Sequence, residues 1–326
     1  MMERELYLDP KEVKIFKIKR IASQSLIYAF LILMGLFIII PFYWMLISSV
    51  KQTWEITSPN ITLLPVGLNG KMLMPWNWAW DNYGSLINGL TNAEGVEIFK
   101  PMPLGWMFLN TIVVGLLTTI GTVITTILAS FAFARLNFKG RDLLFTILLA
   151  TMMIPGEVFV ITNYMTVSKL GWIRTADHMK TIAALVFPFI TSIFYIFFLR
   201  QTFKQIPNEL YLAAKVDGTS DFKYLVRVMI PLAQATITTI IILSMIGTWN
   251  AYVWPTFVTD PNHRNQLLVS NGLMVGLAGA VETRGPNSIL NLQMAASTLV
   301  TIPLLTAFFI FKKYIMRGVS RSGIKG

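Results

Sequence analysis

Few side chains in this sequence could do catalytic chemistry, and they are badly spaced for it. The two histidines, His178 and His263, lack an H-x-x-x-H or H-E-x-x-H context, so each reads as a solvated loop histidine and not as a metal ligand. There is no cysteine, which removes disulfides, thiolate metal sites and cysteine nucleophiles. No G-x-x-x-x-G-K-[ST] phosphate loop is present, so any ATP hydrolysis has to be done by another chain. Three features remain. Glu157 follows Pro155-Gly156 inside an apolar stretch, where a carboxylate is costly and therefore a functional candidate. It can hydrogen-bond a hydroxylated solute or satisfy backbone groups freed by Pro155. Trp249-Asn250 and Trp254-Pro255 close another apolar stretch: Trp254 is expected in an outer aromatic belt, and the Asn250 amide can line a pathway. The third feature is residues 207–232, PNELYLAAKVDGTSDFKYLVRVMIPL, which read as two short helices hinged at Gly218.

The elements that carry these features are membrane spans. Hydrophobic residues make up 54% and charged residues 13% of the chain, too little charge to cover a soluble surface. The net charge of +11 sits beside apolar runs and not in a basic, aromatic-interleaved cluster, which argues against nucleic acid. Residues 21–50 carry no charge and are too long for a signal-peptide core, so they are expected to stay as a first span. Further spans are predicted at about 101–134, 143–165, 181–199, 231–250 and 290–311. In the second, Thr118, Thr119, Thr122, Thr125 and Thr126 form a hydroxyl stripe suited to facing other helices. Residues 265–281 are also apolar but short, with Gly272, Gly276 and Gly279, and are read as an outer loop packed on something. The fold class is all-α integral membrane, with six transmembrane helices.

Orientation follows from the cations. Of 27 Lys and Arg, 19 fall on the side of the N-terminus and eight on the other, which predicts cytoplasmic termini and a cytoplasmic elbow. The expected organisation is a cytoplasmic tail over 1–20, the first span over 21–50, an extracytoplasmic loop over 51–104, a transmembrane core over 105–316 and a cytoplasmic tail over 317–326. The loop holds tryptophans at 54, 76, 78 and 80, which suit either the bilayer interface or a small cap. No internal repeat is evident, which argues against a two-halved secondary transporter.

In the elbow, Asn208 can cap the first helix, Gly218 can close it in the left-handed conformation, and Thr219 or Ser220 can cap the second. Asp221 then lies in the second helix's first turn, where the dipole favours an anion. Phe222, Leu225, Val226 and Met229 form an apolar stripe, and Pro231 is expected to end that helix and open the next span. This stretch resembles the EAA loop of ATP-binding-cassette (ABC) importer permeases. Ala213 and Ala214 take the alanine places, Asp217-Gly218 the D-G, and Pro231 the end of the closing I-x-L-P. The motif glutamate falls on Leu212, with Glu209 one turn away as a substitute. Lys313-Tyr314, Arg317-Gly318 and Gly323-Ile324-Lys325-Gly326 resemble the closing residues of the second permease subunit of maltose-type carbohydrate importers.

The resemblance implies a permease subunit, not an enzyme, in a prokaryotic plasma membrane. Its implied partners are a second homologous permease, two ATPase subunits that hold ATP and Mg, an extracytoplasmic solute-binding protein and membrane lipid. It also implies that Glu209, Leu212, Ala213, Ala214, Asp217, Gly218 and Pro231 serve the ATPase-coupling loop, and that Arg317, Gly318, Gly323 and Lys325 touch the ATPase. The alternatives are an ion-coupled secondary transporter, for which Glu157 lacks a paired group, and a membrane-embedded glycosyl transferase, for which no D-x-D or histidine pair is present. The charge argument generates a direct test. A cysteine at Ser220 should be labelled by an impermeant maleimide from the cytoplasmic side alone, and one at Asn265 from outside alone; labelling of both from one side overturns the topology.

Overall fold

The structure is a computed structural model and describes residues 10–91, 97–284 and 289–320. Long uncharged runs in hydrocarbon must satisfy their peptide groups internally, so they fold as helices. Helix α1 spans Pro10–Ser48, and two short helices follow, α2 (Thr53–Thr57) and α3 (Asp81–Asn88). A minimal antiparallel pair, β1 (Leu90–Thr91) with β2 (Glu97–Phe99), precedes α4 (Leu104–Arg135). Next come α5 (Arg141–Thr151), α6 (Gly156–Lys169), α7 (His178–Val186), α8 (Ile193–Gln205) and α9 (Asn208–Val216). The chain closes with α10 (Asp221–Tyr224), α11 (Ile230–Leu232), α12 (Gln234–Trp249), α13 (Val253–Val258), α14 (Val269–Arg284) and α15 (Leu290–Ser320).

Three stretches are long and apolar enough to cross a membrane unaided: Lys14–Ser48, Leu104–Arg135 and Leu290–Lys312. Three more qualify as bent pairs, with breaks of 95° between α5 and α6, 51° between α7 and α8, and 80° before α12, which gives up to six spans if each pair is one. Each break has a local cause. Pro155 precedes α6 in an extended conformation and offers no amide hydrogen. Pro188 lies in the 3-10 turn Phe187–Phe189, after which the Ser192 hydroxyl accepts from Tyr195 N and restarts the helix as α8. Pro231 corrects the sequence reading, because it does not end its helix. The ladder slips into a π turn over Leu225–Met229, with Ile230 N donating to Leu225 O, and the helical course runs on to Leu232 before bending at Ala233. A π turn shifts the bonding register by one residue and so accommodates a position that cannot donate.

The chain divides into two compact units, one comprising residues up to Asn82 with Asn287–Thr298, the other Tyr83–Pro286 with the rest of α15. The first is held by an ion pair at the end of α1. Lys51, 1% exposed, lies 3.3 Å from Glu55 Oε1 and donates to Thr62 O and Oγ1 at 2.5 and 2.8 Å. Glu55 also accepts from Thr62 Oγ1 and Val66 N. A buried pair is tolerable only where hydrogen bonds offset its desolvation; here they gather on Lys51 Nζ and Glu55 Oε1, while Glu55 Oε2 is buried without a partner among the described residues. Asn82 donates to Ser49 O and Lys51 O and accepts from Asn291 Nδ2 at 2.9 Å. Trp76 and Trp80 are exposed, while Trp78 donates to Leu73 O.

The second unit is built on α4, which packs on α8 and α12. The expected hydroxyl stripe faces protein: Thr119 donates to Ser244 Oγ, Thr122 to Phe189 O and Thr125 to Ile190 O, and Thr126 is buried. One cluster gathers Phe131, Leu199, Phe203, Tyr224, Leu225 and Met229, and a second Val114, Ala184, Leu185, Trp254, Val258 and Leu268.

The segment 265–281, expected as a loop, is mostly helix α14. Its glycines do not weaken it, because they admit neighbours: a Cβ at Gly272 would lie 2.8 Å from Met107 Sδ, and one at Gly276 2.4 Å from Met102 Cε. Asn271 Oδ1 accepts from Leu268 N and Thr111 Oγ1 from Val269 N, which satisfies the start of the helix. Packing explains the apolarity, as expected, and α14 remains too short to cross a bilayer.

A close approach to a stiffer neighbour is at Gly121 of α4, where a Cβ would sit 2.8 Å from Ile190 Cγ2 and 3.0 Å from Ile190 Cβ. Since the β-branched Ile190 cannot yield cheaply, Gly121→Leu should cost about 1–3 kcal/mol by overpacking. A thermal melt of the detergent-solubilised protein should register a clear drop in Tm; an unchanged Tm refutes the close approach.

Candidate functional site

The elbow is assembled largely as its residues dictate. Helix α9 closes at Gly218, whose φ of +68° is left-handed; Thr219 N donates to Ala214 O at 2.9 Å and Gly218 N to Lys215 O at 3.1 Å, the paired bonds of a Schellman end. Ser220, not Thr219, caps α10, accepting from Lys223 N. Asn208 does not cap α9: Pro207 holds that position, and Asn208 Oδ1 instead accepts from Arg135 Nη1 at 3.3 Å. An interaction across the hinge was not foreseen. Asp221 Oδ1 accepts from both Tyr211 Oη and Lys215 Nζ, each at 2.7 Å, which pins α10 to α9. The Lys215 hydrogen bond, then that of Tyr211, holds the Asp221 carboxyl below its ordinary value, and Asp221 in turn raises Lys215. The i, i+4 spacing of Tyr211 and Lys215 placed them on one face, but nothing local indicated that Asp221 would fold back onto it.

The elbow has an inner and an outer side. Tyr211, Ala214, Tyr224, Leu225 and Met229 pack into the first cluster of the second unit. Glu209, Leu212, Ala213 and Val216, at i, i+3, i+4, i+7, share an exposed face of α9; Leu212 is 55% and Val216 88% exposed. Phe222 of α10 is 68% exposed and Val226 is also outside, so the predicted apolar stripe of that helix is split between the two sides. Asp217 and Pro231 are exposed. Arg317 and Gly318 fall within the backbone of α15; Gly323 and Lys325 lie outside the described residues.

A cavity of about 510 Å³ opens among α4, α6, α12 and α13. Its lining includes Glu157, Ser192, Tyr195, Thr248 and Trp254, together with Thr118, whose buried hydroxyl has no partner among the described residues. Glu157 stands in the first turn of α6 and is exposed. Depth counted along one straight helix from Asp142 does not apply to it, because the axis turns by 95° between α5 and α6. Trp254 is not a belt residue: it is 6% exposed, and its Nε1 donates to Ala184 O at 3.0 Å. Trp249 Nε1 donates to Val300 O, and the Asn250 amide returns to Ile246 O of its own helix at 3.0 Å, outside the cavity lining. His178 is engaged with Asn110 Oδ1 and His263 with Asp260.

Residues 121–321 match the family described as binding-protein-dependent transport system inner membrane component. The chain belongs to that family. As a member of this family it is a membrane permease component of an ABC transport system and not an enzyme. Among its relatives, the arabinooligosaccharides transport system permease protein AraQ of Bacillus subtilis (strain 168) is 30% identical over 311 residues, covering 95% of this chain and 98% of AraQ. The sn-glycerol-3-phosphate transport system permease protein UgpE of Rhizobium meliloti (strain 1021) is 26% identical, over 92% and 97% of the two chains. A chain of a bacterial ABC transporter that imports the acidic polysaccharide alginate superposes with a TM-score of 0.66 over 94% of this chain and 99% of that one, at 20% identity, which extends the likeness of fold.

Nothing lies within 4 Å of a Cβ built on Gly218, so substitution there tests backbone conformation alone. Valine at positive φ costs on the order of 1 kcal/mol or more, whereas asparagine tolerates it. Gly218→Val should insert in the membrane yet lose ATPase association or solute-stimulated hydrolysis, and Gly218→Asn should keep both; a normal Gly218→Val rejects the coupling role. For the cavity, Glu157→Gln should alter transport while assembly and ATP hydrolysis persist. If assembly falls instead, the carboxylate is structural, and if neither changes it has no role.

Proposed function

We propose that this chain is one of two transmembrane permease subunits of an ABC importer for a carbohydrate or a related polyhydroxy solute, with both termini and the elbow in the cytoplasm of a prokaryotic cell. The second permease, a pair of ATPase subunits and an extracytoplasmic solute-binding protein complete the assembly. The observation that carries this reading is the elbow: a rigid helix–Gly–helix unit, seated inward on the core and outward presenting an unpartnered face of Leu212, Val216 and Phe222. An element fixed to two bent spans and open on its far side is suited to receive a push from another protein and pass it on as rigid-body motion. The absent motif glutamate is compatible with this, since Glu209 shares the exposed face of α9 with Leu212.

The pathway assignment rests on the cavity. Hydroxyls, aromatic rings and one carboxylate are groups that hydrogen-bond and stack on polyhydroxy solutes. A carbohydrate is favoured by what the relatives transport: arabinooligosaccharides for AraQ, sn-glycerol 3-phosphate for UgpE, and diacetylchitobiose for the uptake system permease NgcG of Streptomyces coelicolor, 25% identical to this chain. Closure of the ATPase pair would swing the elbow, and the bent spans would exchange an inward-open for an outward-open cavity.

The complete complex in proteoliposomes, offered arabinooligosaccharides, diacetylchitobiose and sn-glycerol 3-phosphate in turn, should accumulate one of these classes with ATP and the loaded binding protein. A proton or sodium gradient alone should drive none. Gradient-driven uptake without ATP would favour a secondary transporter and remove this reading.

A further inference from the structure

Two arginines join α4 to α8 reciprocally. Arg135, the last residue of α4, donates through Nη2 to Phe203 O at 2.8 Å and to Ile206 O, and through Nη1 to Asn208 Oδ1 at 3.3 Å. Arg200 of α8 reaches the other way, donating through Nε to Phe133 O of α4 at 3.1 Å and through Nη2 to Asp142 of α5 at 3.4 Å. Its guanidinium carbon lies 3.8 Å from the Phe145 ring centroid, and Arg200 is 5% exposed.

The chemistry explains the acceptors. The carbonyl of Phe203 would ordinarily bond the amide four residues on, but that residue is Pro207, which has no N–H. Phe203 O keeps only a long bond of 3.3 Å from Ile206 N, and Arg135 supplies a second donor from another helix. The carbonyls at a helix end also carry the negative pole of its dipole, which a cation complements. A guanidinium has several donors in a fixed plane, so it can hold three acceptors at once where an ammonium cannot hold the same geometry.

The acceptors of Arg135 straddle the junction between α8 and the elbow helix α9. The other end of the connection is α4, whose threonines 118 and 122 line the cavity. We propose that this clasp makes α4, α8 and α9 one rigid body, and that Arg135 is the positioning residue through which displacement of the elbow reaches the cavity wall. The inference rests on the coupling role proposed for the elbow and adds the route. Without the clasp, α9 is tied to α4 through the hydrophobic cluster, whose contacts are non-directional and permit sliding.

The native chain has no cysteine, which makes paired labelling direct. In the full complex, Leu210→Cys on α9 and Lys139→Cys just beyond α4 carry spin labels, and their separation is measured without nucleotide and with ADP-vanadate trapped. With Arg135 intact the separation is the same in both states. In Arg135→Gln it differs between them, and stimulation of ATP hydrolysis by the loaded binding protein falls about tenfold or more while the unstimulated rate stays within about twofold. Arg135→Lys, which keeps the charge without the planar fork, gives an intermediate stimulation. A fixed separation with full stimulation in Arg135→Gln overturns the proposal. Should Arg135→Gln fail to assemble, full stimulation in Arg135→Lys overturns it instead. Absence of stimulation with Arg135 intact would remove the coupling role of the elbow itself, and this route with it.

Discussion

Hydrocarbon offers a peptide group nothing to bond, and the second unit is shaped by how it meets that constraint wherever a helix is interrupted. Three prolines, at 188, 207 and 231, lie at or beside helix interruptions, and each removes one amide donor from the ladder. At Pro188 the carbonyl four residues back, that of Ala184, is taken up by Trp254 Nε1, and the carbonyls of Phe189 and Ile190 in the break that follows are taken up by Thr122 and Thr125 of α4. At Pro207 the carbonyl of Phe203 keeps a long bond from Ile206 N, and Arg135 adds a shorter one. At Pro231 no outside group is needed, because the helix widens into a π turn and resumes. Breaks near the helix packing centre are thus repaired largely by α4, which accounts for its hydroxyl stripe and its terminal arginine in one physical statement.

The same logic separates what was legible in the sequence from what was not. Uncharged runs, their flanking cations and the residues of the elbow hinge are local signals, and the structure returns Gly218 at positive φ, Ser220 as a cap and the threonine stripe facing protein. Long-range partnership was invisible. Proline at 231 does not end its helix, because the continuing ladder absorbs it, and at 272 and 276 methionine side chains from α4 and its approach fill the space that a Cβ would need. The 95° turn that sets the place of Glu157 was equally hidden, since no local pattern gives the size of a bend. Trp254 looked like a residue of the bilayer interface because tryptophan suits that zone, yet a hydrogen bond to Ala184 O draws it inward. Amphipathic residues can serve either environment, and only the third dimension decides.

The elbow illustrates how specific and non-specific forces share a task. Its inner side is held by burial of Tyr224, Leu225 and Met229, which is strong but has no preferred direction. The Tyr211–Asp221–Lys215 triad adds direction by fixing the angle between α9 and α10. Each of its contacts is partly exposed and individually modest, but an angle needs only to be preferred over its neighbours. What the triad leaves outside is a face of ordinary hydrophobic residues, Leu212 and Val216 above all, which is exposed among the described residues.

The network at the C-terminal end of α1 bears on biosynthesis. Ser49 and Lys51 are made early and Asn82 soon after, but Asn291, which closes the chain of hydrogen bonds through Asn82 and also approaches Thr53, belongs to the last helix. The ribosome must therefore have passed Asn291 before the end of α1 can reach its final arrangement. Until then the lysine and the glutamate beside it lack part of the enclosure that makes their burial tolerable, and a helix made well before α15 has to wait for it to mature.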